Sequence, residues 1–259
     1  MIYTCYEMIG DCRADKTEGW AYFVSNYVPL VRRLLAHYAA SEAAMLERIL
    51  VSLRASLFSS LDPMPERPFV AALRQRVLAQ LEARPAEIPL DLETVATALA
   101  PLTLVEKQAA WFETMSYDAA RTGAMLRISR ETVEAIRRRA AEQIRGAVDT
   151  WSAPMLRENG RALGRAAAEA APSGLDAQCV PVRTILDVLD GRATWLGREQ
   201  MERHVTSCWH CIDHFCRMME VVELLRASQP LPAEEAAPFR KLLGVEEARR
   251  PLWKRWTGA

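Results

Sequence analysis

Apolar residues recur along most of this chain at the i, i+3, i+4, i+7 spacing that gathers them on one face of an α-helix. The clearest run is Trp20, Phe23, Val24, Tyr27, Leu30, Val31, Leu34 and Leu35, with Pro29 inside it. A proline there removes one backbone hydrogen bond, so a kink or local break is expected. Leu46, Ile49, Leu50, Leu53 and Leu57 extend the pattern, residues 62–68 interrupt it with prolines 63, 65 and 68, and Phe69, Leu73, Val77 and Leu81 resume it. Residues 1–81 therefore read as three or four packed helices. The aromatic stripe is core-forming, and Cys5 and Cys12, two turns apart, read as structural. After a linker over 84–90, helices are expected over 92–102 and 103–115. The second of these starts on Thr103-Leu-Val-Glu106, which has capping-box form.

The pattern then predicts a short helix over 116–126, a turn at Arg127-Ile128-Ser129, and a longer helix over 130–144 capped by Ser129. Ala119, Ala120 and Gly123 permit close crossing, while Leu126, Ile128, Val133 and Ile136 supply a shared core. That is helix-turn-helix construction, in which the second helix can enter a major groove. Residues 149–173, rich in alanine and arginine and broken by Pro154, Gly160, Gly164 and Pro172, read as a broken helix acting as a spacer. A helix over 182–189 follows, and one more is expected over 236–243 after the stop at 229–232. The basic, aromatic stretch 249–256 reads as a solvated terminus.

Alanine, leucine, arginine and glutamate dominate and β-branched runs are scarce, which favours an all-α protein. At 259 residues the chain can hold two or three small domains. The expected organisation is a helical domain over 1–83, a helix-turn-helix domain over 91–148, a spacer over 149–174, a metal-binding bundle over 175–228 and a tail over 229–259. Formal net charge is zero, so any nucleic-acid affinity needs a local patch. Residues 121–145 supply one, with seven arginines against Glu131, Glu134 and Glu142 for a local +4. Arg127, Arg130, Arg137 and Arg138 are the candidate DNA contacts, since guanidinium groups bind phosphates and read guanine bidentately. A plain helical hairpin with a solvated basic face is the alternative. No apolar run reaches the roughly 18–20 residues of a membrane span, and no charged-then-apolar leader opens the chain. A cytoplasmic chain with reduced thiols is expected, where Cys/His clusters hold metal more often than they form disulfides. No phosphate-cradling glycine loop or paired carboxylates suggest an enzyme.

Four of the six cysteines and three of the four histidines fall between residues 179 and 216. Thiolate and neutral imidazole suit tetrahedral Zn²⁺, and His204, Cys208 and Cys211 stand in an H-x3-C-x2-C spacing. The three can converge either on one face of a continuous helix or around a knuckle that opens a new helix at Cys208. A structural zinc site needs a fourth ligand. Cys179 is the first choice, because it lies far enough upstream to return at the start of an antiparallel helix; His210, His214 and Cys216 are the other candidates. Buried apolar cysteines or a redox Cys-x-x-Cys pair are the competing readings.

The run Leu186-Asp-Val-Leu-Asp-Gly191 followed by Met201-Glu-Arg-His204, Cys208 and Cys211 resembles the zinc-binding anti-sigma domain of bacteria over about residues 179–227. In that family an upstream Cys or His completes the site, a place Cys179 meets, and the resemblance implies a small helical bundle that binds sigma factors. Residues 126–140, from Leu126-Arg-Ile-Ser129 through Thr132-Val133 to the basic run ending in Ala140, are similar to region 4 of extracytoplasmic-function sigma factors. Leu99-Ala-Pro-Leu102 matches the turn ahead of that region, and residues 19–38 and 69–81 resemble the helices of region 2. This likeness covers about residues 1–148. It implies binding to RNA polymerase core and to a −35-type promoter element, with an intramolecular sigma/anti-sigma contact. Departures are Arg121-Thr122-Gly123 where region 4 has Glu-Ile-Ala, Glu134 at a usually basic place, and the balance of ten basic and ten acidic side chains over residues 1–90. They motivate a second expectation, a regulatory adaptor that binds a sigma factor or polymerase without touching DNA.

Overall fold

In the computed structural model, residues 3–39, 43–81, 86, 88–147, 155–170 and 178–245 are described, and all regular structure among them is helical. In order these are α1 (Cys5–Arg13), α2 (Thr17–Tyr38), α3 (Ala43–Ser56), a single 3₁₀ turn (Phe58–Ser60), α4 (Glu66–Ala79), α5 (Leu92–Leu99), α6 (Leu104–Thr114) and α7 (Ala119–Leu126). Then come α8 (Arg130–Ala147), α9 (Met155–Glu158), α10 (Gly160–Glu169), α11 (Val182–Leu189), α12 (Trp195–Ser207), α13 (Trp209–Ala227) and α14 (Ala233–Leu242). None of them is long and apolar enough to cross a membrane. The chain forms two compact units, Met1–Leu81 with Leu224–Ala259, and Glu82–Glu223.

The first unit is built around α2. Its apolar stripe is buried as the periodicity predicts, and Pro29 lies within the helix without ending it. Aromatic edges lock the core: Phe58 meets Trp20 at 5.0 Å and Phe23 at 5.5 Å, and Tyr27 meets Phe69 at 4.9 Å. Burial pushes the Cys5 thiol up to about 11 and raises Cys12 as well, so both behave as small inert hydrophobes. Part of the expected C-terminal tail belongs to this unit. Leu231 N–H donates to the Ser25 carbonyl at 2.8 Å, and the Arg32 guanidinium lies 4.9 Å from the Phe239 ring centre, which seats α14 on α2. The basic stretch 249–256 lies outside the described residues.

The second unit is organised around α6. Lys107, Gln108, Ala109, Ala110, Trp111, Phe112 and Thr114 are all buried, so this helix is covered almost all round. It starts as expected: the Glu106 carboxylate accepts from the Thr103 N–H at 2.9 Å. The stretch expected to be a broken helix acting as a spacer forms two short helices, and they are packed. Within it, α9 and α10 pack against α6, burying Met155, Leu156, Leu163 and Ala167. Two small features permit this. Asn159, 3 % exposed, donates to the carbonyls of Ile88 and Met155 at 2.9 Å each and accepts from Leu90 N–H at 2.8 Å, tying down the end of the expected 84–90 linker. Gly160 lies so close to α6 that a Cβ there would come within 1.9 Å of the Thr114 carbonyl oxygen.

Both features are open to a stability measurement. Asn159→Ala leaves the buried Leu90 N–H without its acceptor and is expected to cost about 1–3 kcal/mol in urea denaturation. Gly160→Ala forces backbone apart and is expected to cost at least as much.

Candidate metal centre

The metal-ligand candidates come together at the meeting of three chain segments. His204 lies in the last turn of α12, Cys208 is the one residue between α12 and α13, and Cys211 lies in the first turn of α13. Cys208 carries extended backbone angles (φ −113°, ψ 107°), so the chain turns there and the knuckle alternative holds over one continuous helix. Cys179 arrives just ahead of α11, whose N-cap is Pro181. One donor atom from each of Cys179, His204, Cys208 and Cys211 lies within 4.8 Å of all the others. A tetrahedron with thiolate arms of about 2.3 Å has edges of roughly 3.8 Å, so a small contraction of this set gives a closed four-coordinate site. His210, His214 and Cys216 are not in the group. His210 turns its Nδ1 to the Ala168 carbonyl at 3.1 Å, and Cys216 is fully buried.

The chemistry of the set fits a metal ion. The His204 Nε2 is buried and has no hydrogen-bond partner, an arrangement that is costly unless the lone pair is engaged. Cys208 and Cys211 are buried and no disulfide joins the thiols. Burial pushes the Cys211 thiol up to about 12, reinforced by Cys208 and Cys179 and opposed by the Val180 N–H, which donates to Cys211 Sγ at 3.4 Å. The Cys179 thiol is raised too, burial being the largest cause. Three thiols gathered in this way lose their protons together only when a cation compensates the charge.

A polar seam joins this centre to α6, and sequence reasoning missed it. Lys107 Nζ, on a side chain whose proton affinity burial lowers, donates to the Thr206 carbonyl at 2.8 Å, in the last turn of α12. One turn along α6, Trp111 Nε1–H donates to Asp213 at 3.1 Å while its ring meets Trp209 at 5.2 Å. Beyond the end of α6, Tyr117 donates to the fully buried Glu220 at 2.8 Å. Arg217 completes the seam, pairing with Asp213 at 2.7 Å and donating to the Gly164 carbonyl at 2.8 Å.

The helix-turn-helix stretch forms α7, a turn and α8. Asp118 caps α7 through the Arg121 N–H, and Arg127 takes the left-handed conformation (φ 58°) that starts the turn. A Cβ at Gly123 would come within 2.7 Å of the Ile128 carbonyl, so the turn closes only over a glycine. Ala109, Val133 and Ile136 form the buried core, with Ala119, Leu126 and Ile128 packed on it. The four candidate DNA contacts divide. Arg127 and Arg138 are exposed; Arg130 is exposed and paired with Glu134 at 2.8 Å. Arg137 is turned inward, which corrects its expected role. Its guanidinium donates to the Tyr117 carbonyl at 2.9 Å and the Thr122 hydroxyl at 3.0 Å, and Glu113 lies 3.8 Å away. It holds α8 to α6 and α7 and does not face solvent.

Comparison with known protein families, curated proteins and solved structures finds no match for this chain. The site is therefore read from its own geometry.

Purified protein is expected to carry one tightly held metal ion per chain by mass spectrometry. Cys208→Ser lowers that content severalfold, whereas Cys216→Ser leaves it unchanged. Removing the ion with a chelator is expected to loosen amide protection around 204–211 first and then along the seam.

Proposed function

We propose that the chain is a transcription regulator in which a sigma-factor-like helix-turn-helix is governed by a zinc-binding, anti-sigma-like bundle in the same polypeptide. The carrying observation is that α6 serves both parts. It packs on α7 and α8, and it also carries Lys107 and Trp111, which bond the residues flanking the metal centre. A closed set of three thiolates and one imidazole suits zinc. Zinc, when bound, supplies a four-point cross-link that contributes folding energy outright. Cys179 would hold the start of α11 to it, His204 the end of α12, and Cys208 with Cys211 the joint into α13. With that joint fixed, the Thr206 carbonyl and Asp213 stand where Lys107 and Trp111 can reach them, and α6 in turn orders α8.

On this reading Arg127, Arg130 and Arg138 meet promoter DNA at a −35-type element, Arg137 positions the helix that carries them, and the unit containing α2 engages RNA polymerase core. A second reading is favoured by one specific observation. With Arg137 internal and Arg130 tied to Glu134, the recognition face is less cationic than the arginine count suggests, which suits an adaptor that binds a sigma factor or polymerase without contacting DNA.

Duplex binding by the metal-loaded full chain, followed across a salt series, separates the two. A promoter-binding protein gives a linear loss of affinity with log salt, and Arg138→Ala is expected to reduce that slope by about one. Arg137→Ala instead lowers thermal stability, by about 1–3 kcal/mol, because it strips a buried carbonyl and hydroxyl of their donor. Absence of salt-dependent duplex binding by the wild-type chain selects the adaptor.

A further inference from the structure

Opposite its buried stripe, α2 presents Glu18, Ala21, Tyr22, Ser25 and Asn26 at the i, i+3, i+4, i+7, i+8 spacing of one helix face. Tyr3, ahead of α1, packs on Tyr22 with ring centres 4.9 Å apart, and Arg240 arrives from α14. Together these side chains wall a surface cavity of about 290 Å³ within the first unit. Ala21 contributes only a methyl group among longer neighbours, which leaves the space open.

The walls keep polar capacity, and it is divided by sign. Arg240 Nη2 donates to Ser25 Oγ at 3.1 Å, which holds the guanidinium at one end and leaves the Ser25 hydroxyl hydrogen to donate. Asn26 uses its amide nitrogen on the Tyr22 carbonyl at 2.9 Å, so its Oδ1 remains an acceptor at that same end. The other end carries the Glu18 carboxylate. Lys16, two residues before it, is drawn away to Asp11 at 2.8 Å. Glu18 and Ser25 stand seven residues apart on α2, about 10 Å along the axis. A cationic, donor-rich end therefore faces an anionic end across two tyrosine rings and a methyl group.

That layout selects a ligand by the separation of its charges. An amino acid with an uncharged side chain holds its ammonium roughly 3 Å from its carboxylate and reaches one end only. Extended lysine carries its distal ammonium roughly 7 Å from its carboxylate, and hydrogen bonds at the ends close the difference.

We infer that this cavity binds a free basic amino acid of the lysine type. The ligand's carboxylate lies on Arg240 and the Ser25 hydroxyl, and its α-ammonium on Asn26 Oδ1. Its methylene chain runs over Ala21 beside Tyr3 and Tyr22, and its distal cation meets Glu18 with the Tyr22 ring alongside. Because Arg240 belongs to α14 and its counterparts to α2, the bound ligand cross-links those two helices.

Isothermal titration of the full-length, metal-loaded chain with L-lysine tests this against two truncated analogues. L-norleucine lacks the distal ammonium, and cadaverine lacks the carboxylate. Lysine is expected to bind with a Kd of about 1 mM or tighter, and each analogue at least about 10-fold more weakly. Glu18→Gln, at an exposed position, is expected to reduce lysine to the level of norleucine while circular dichroism and metal content stay as in the wild type. Arg240→Gln is expected to reduce it to the level of cadaverine. Bound lysine also raises amide protection over residues 231–243. The inference is overturned if lysine fails to bind at about 10 mM, if either analogue binds as tightly, or if Glu18→Gln binds lysine as the wild type does.

Discussion

The constraint on which the second unit depends is the near-complete burial of α6. A helix covered almost all round keeps most of its polar side chains out of solvent, where they need partners, although the buried Gln108 Nε2 has none among the described residues. Lys107 finds its acceptor at the C-terminal end of α12, where backbone carbonyls are unsatisfied and the helix dipole is negative. Trp111 finds Asp213, and Thr114 turns its hydroxyl back to the Trp111 carbonyl at 2.7 Å. The Lys107 and Trp111 partners make burial of α6 conditional on the helices that carry the clustered donors being in register. The hydrophobic effect supplies the driving force, and the seam specifies which faces meet.

Much of this was legible in the sequence. The 3.6-residue periodicity located the helices, because each buries one apolar stripe on a neighbour. H-x3-C-x2-C marked three of the clustered donors, because that spacing suits a helix end, a one-residue turn and a new first turn. What failed to read did so for identifiable reasons. The stretch around Gly160 and Gly164 looks like a spacer by composition, yet the missing Cβ at Gly160 is what admits α10 to the surface of α6. Arg137 was counted with the exposed cations although it follows Val133 by four residues, on the flank of the buried stripe Val133, Ile136, Ala140 and Ile144. Asp213 and Glu220, seven residues apart on α13, repeat that signature of polar residues at core-facing positions. Such placements announce a buried polar partner, but one sequence does not say which.

Buried polar pairs of this kind act through geometry more than through net stabilisation. The attraction between Asp213 and Arg217 is offset by the cost of removing both charges from water, and removing one partner is more damaging than replacing both. Arg137 is similar: Nη2 donates to both a carbonyl and a hydroxyl while Nε donates to the Ala109 carbonyl at 3.4 Å, a spread of donors that a lysine's single nitrogen could not match. The unit thus trades surface charge for fixed internal angles. For the same reason its electrostatic footprint is smaller than its arginine content.

The joint between α12 and α13 is a single amino acid, Cys208, itself one of the four clustered donors. Most helix connections contain slack, and a residue gained or lost there is absorbed by the loop. Here an insertion of one residue would rotate everything downstream by about 100° about the helix axis and carry Cys211 away from His204. Divergence of this chain over evolutionary time can therefore lengthen its looser connections while this one stays fixed in length, a ruler by which distant descendants could be recognised after their side chains have drifted.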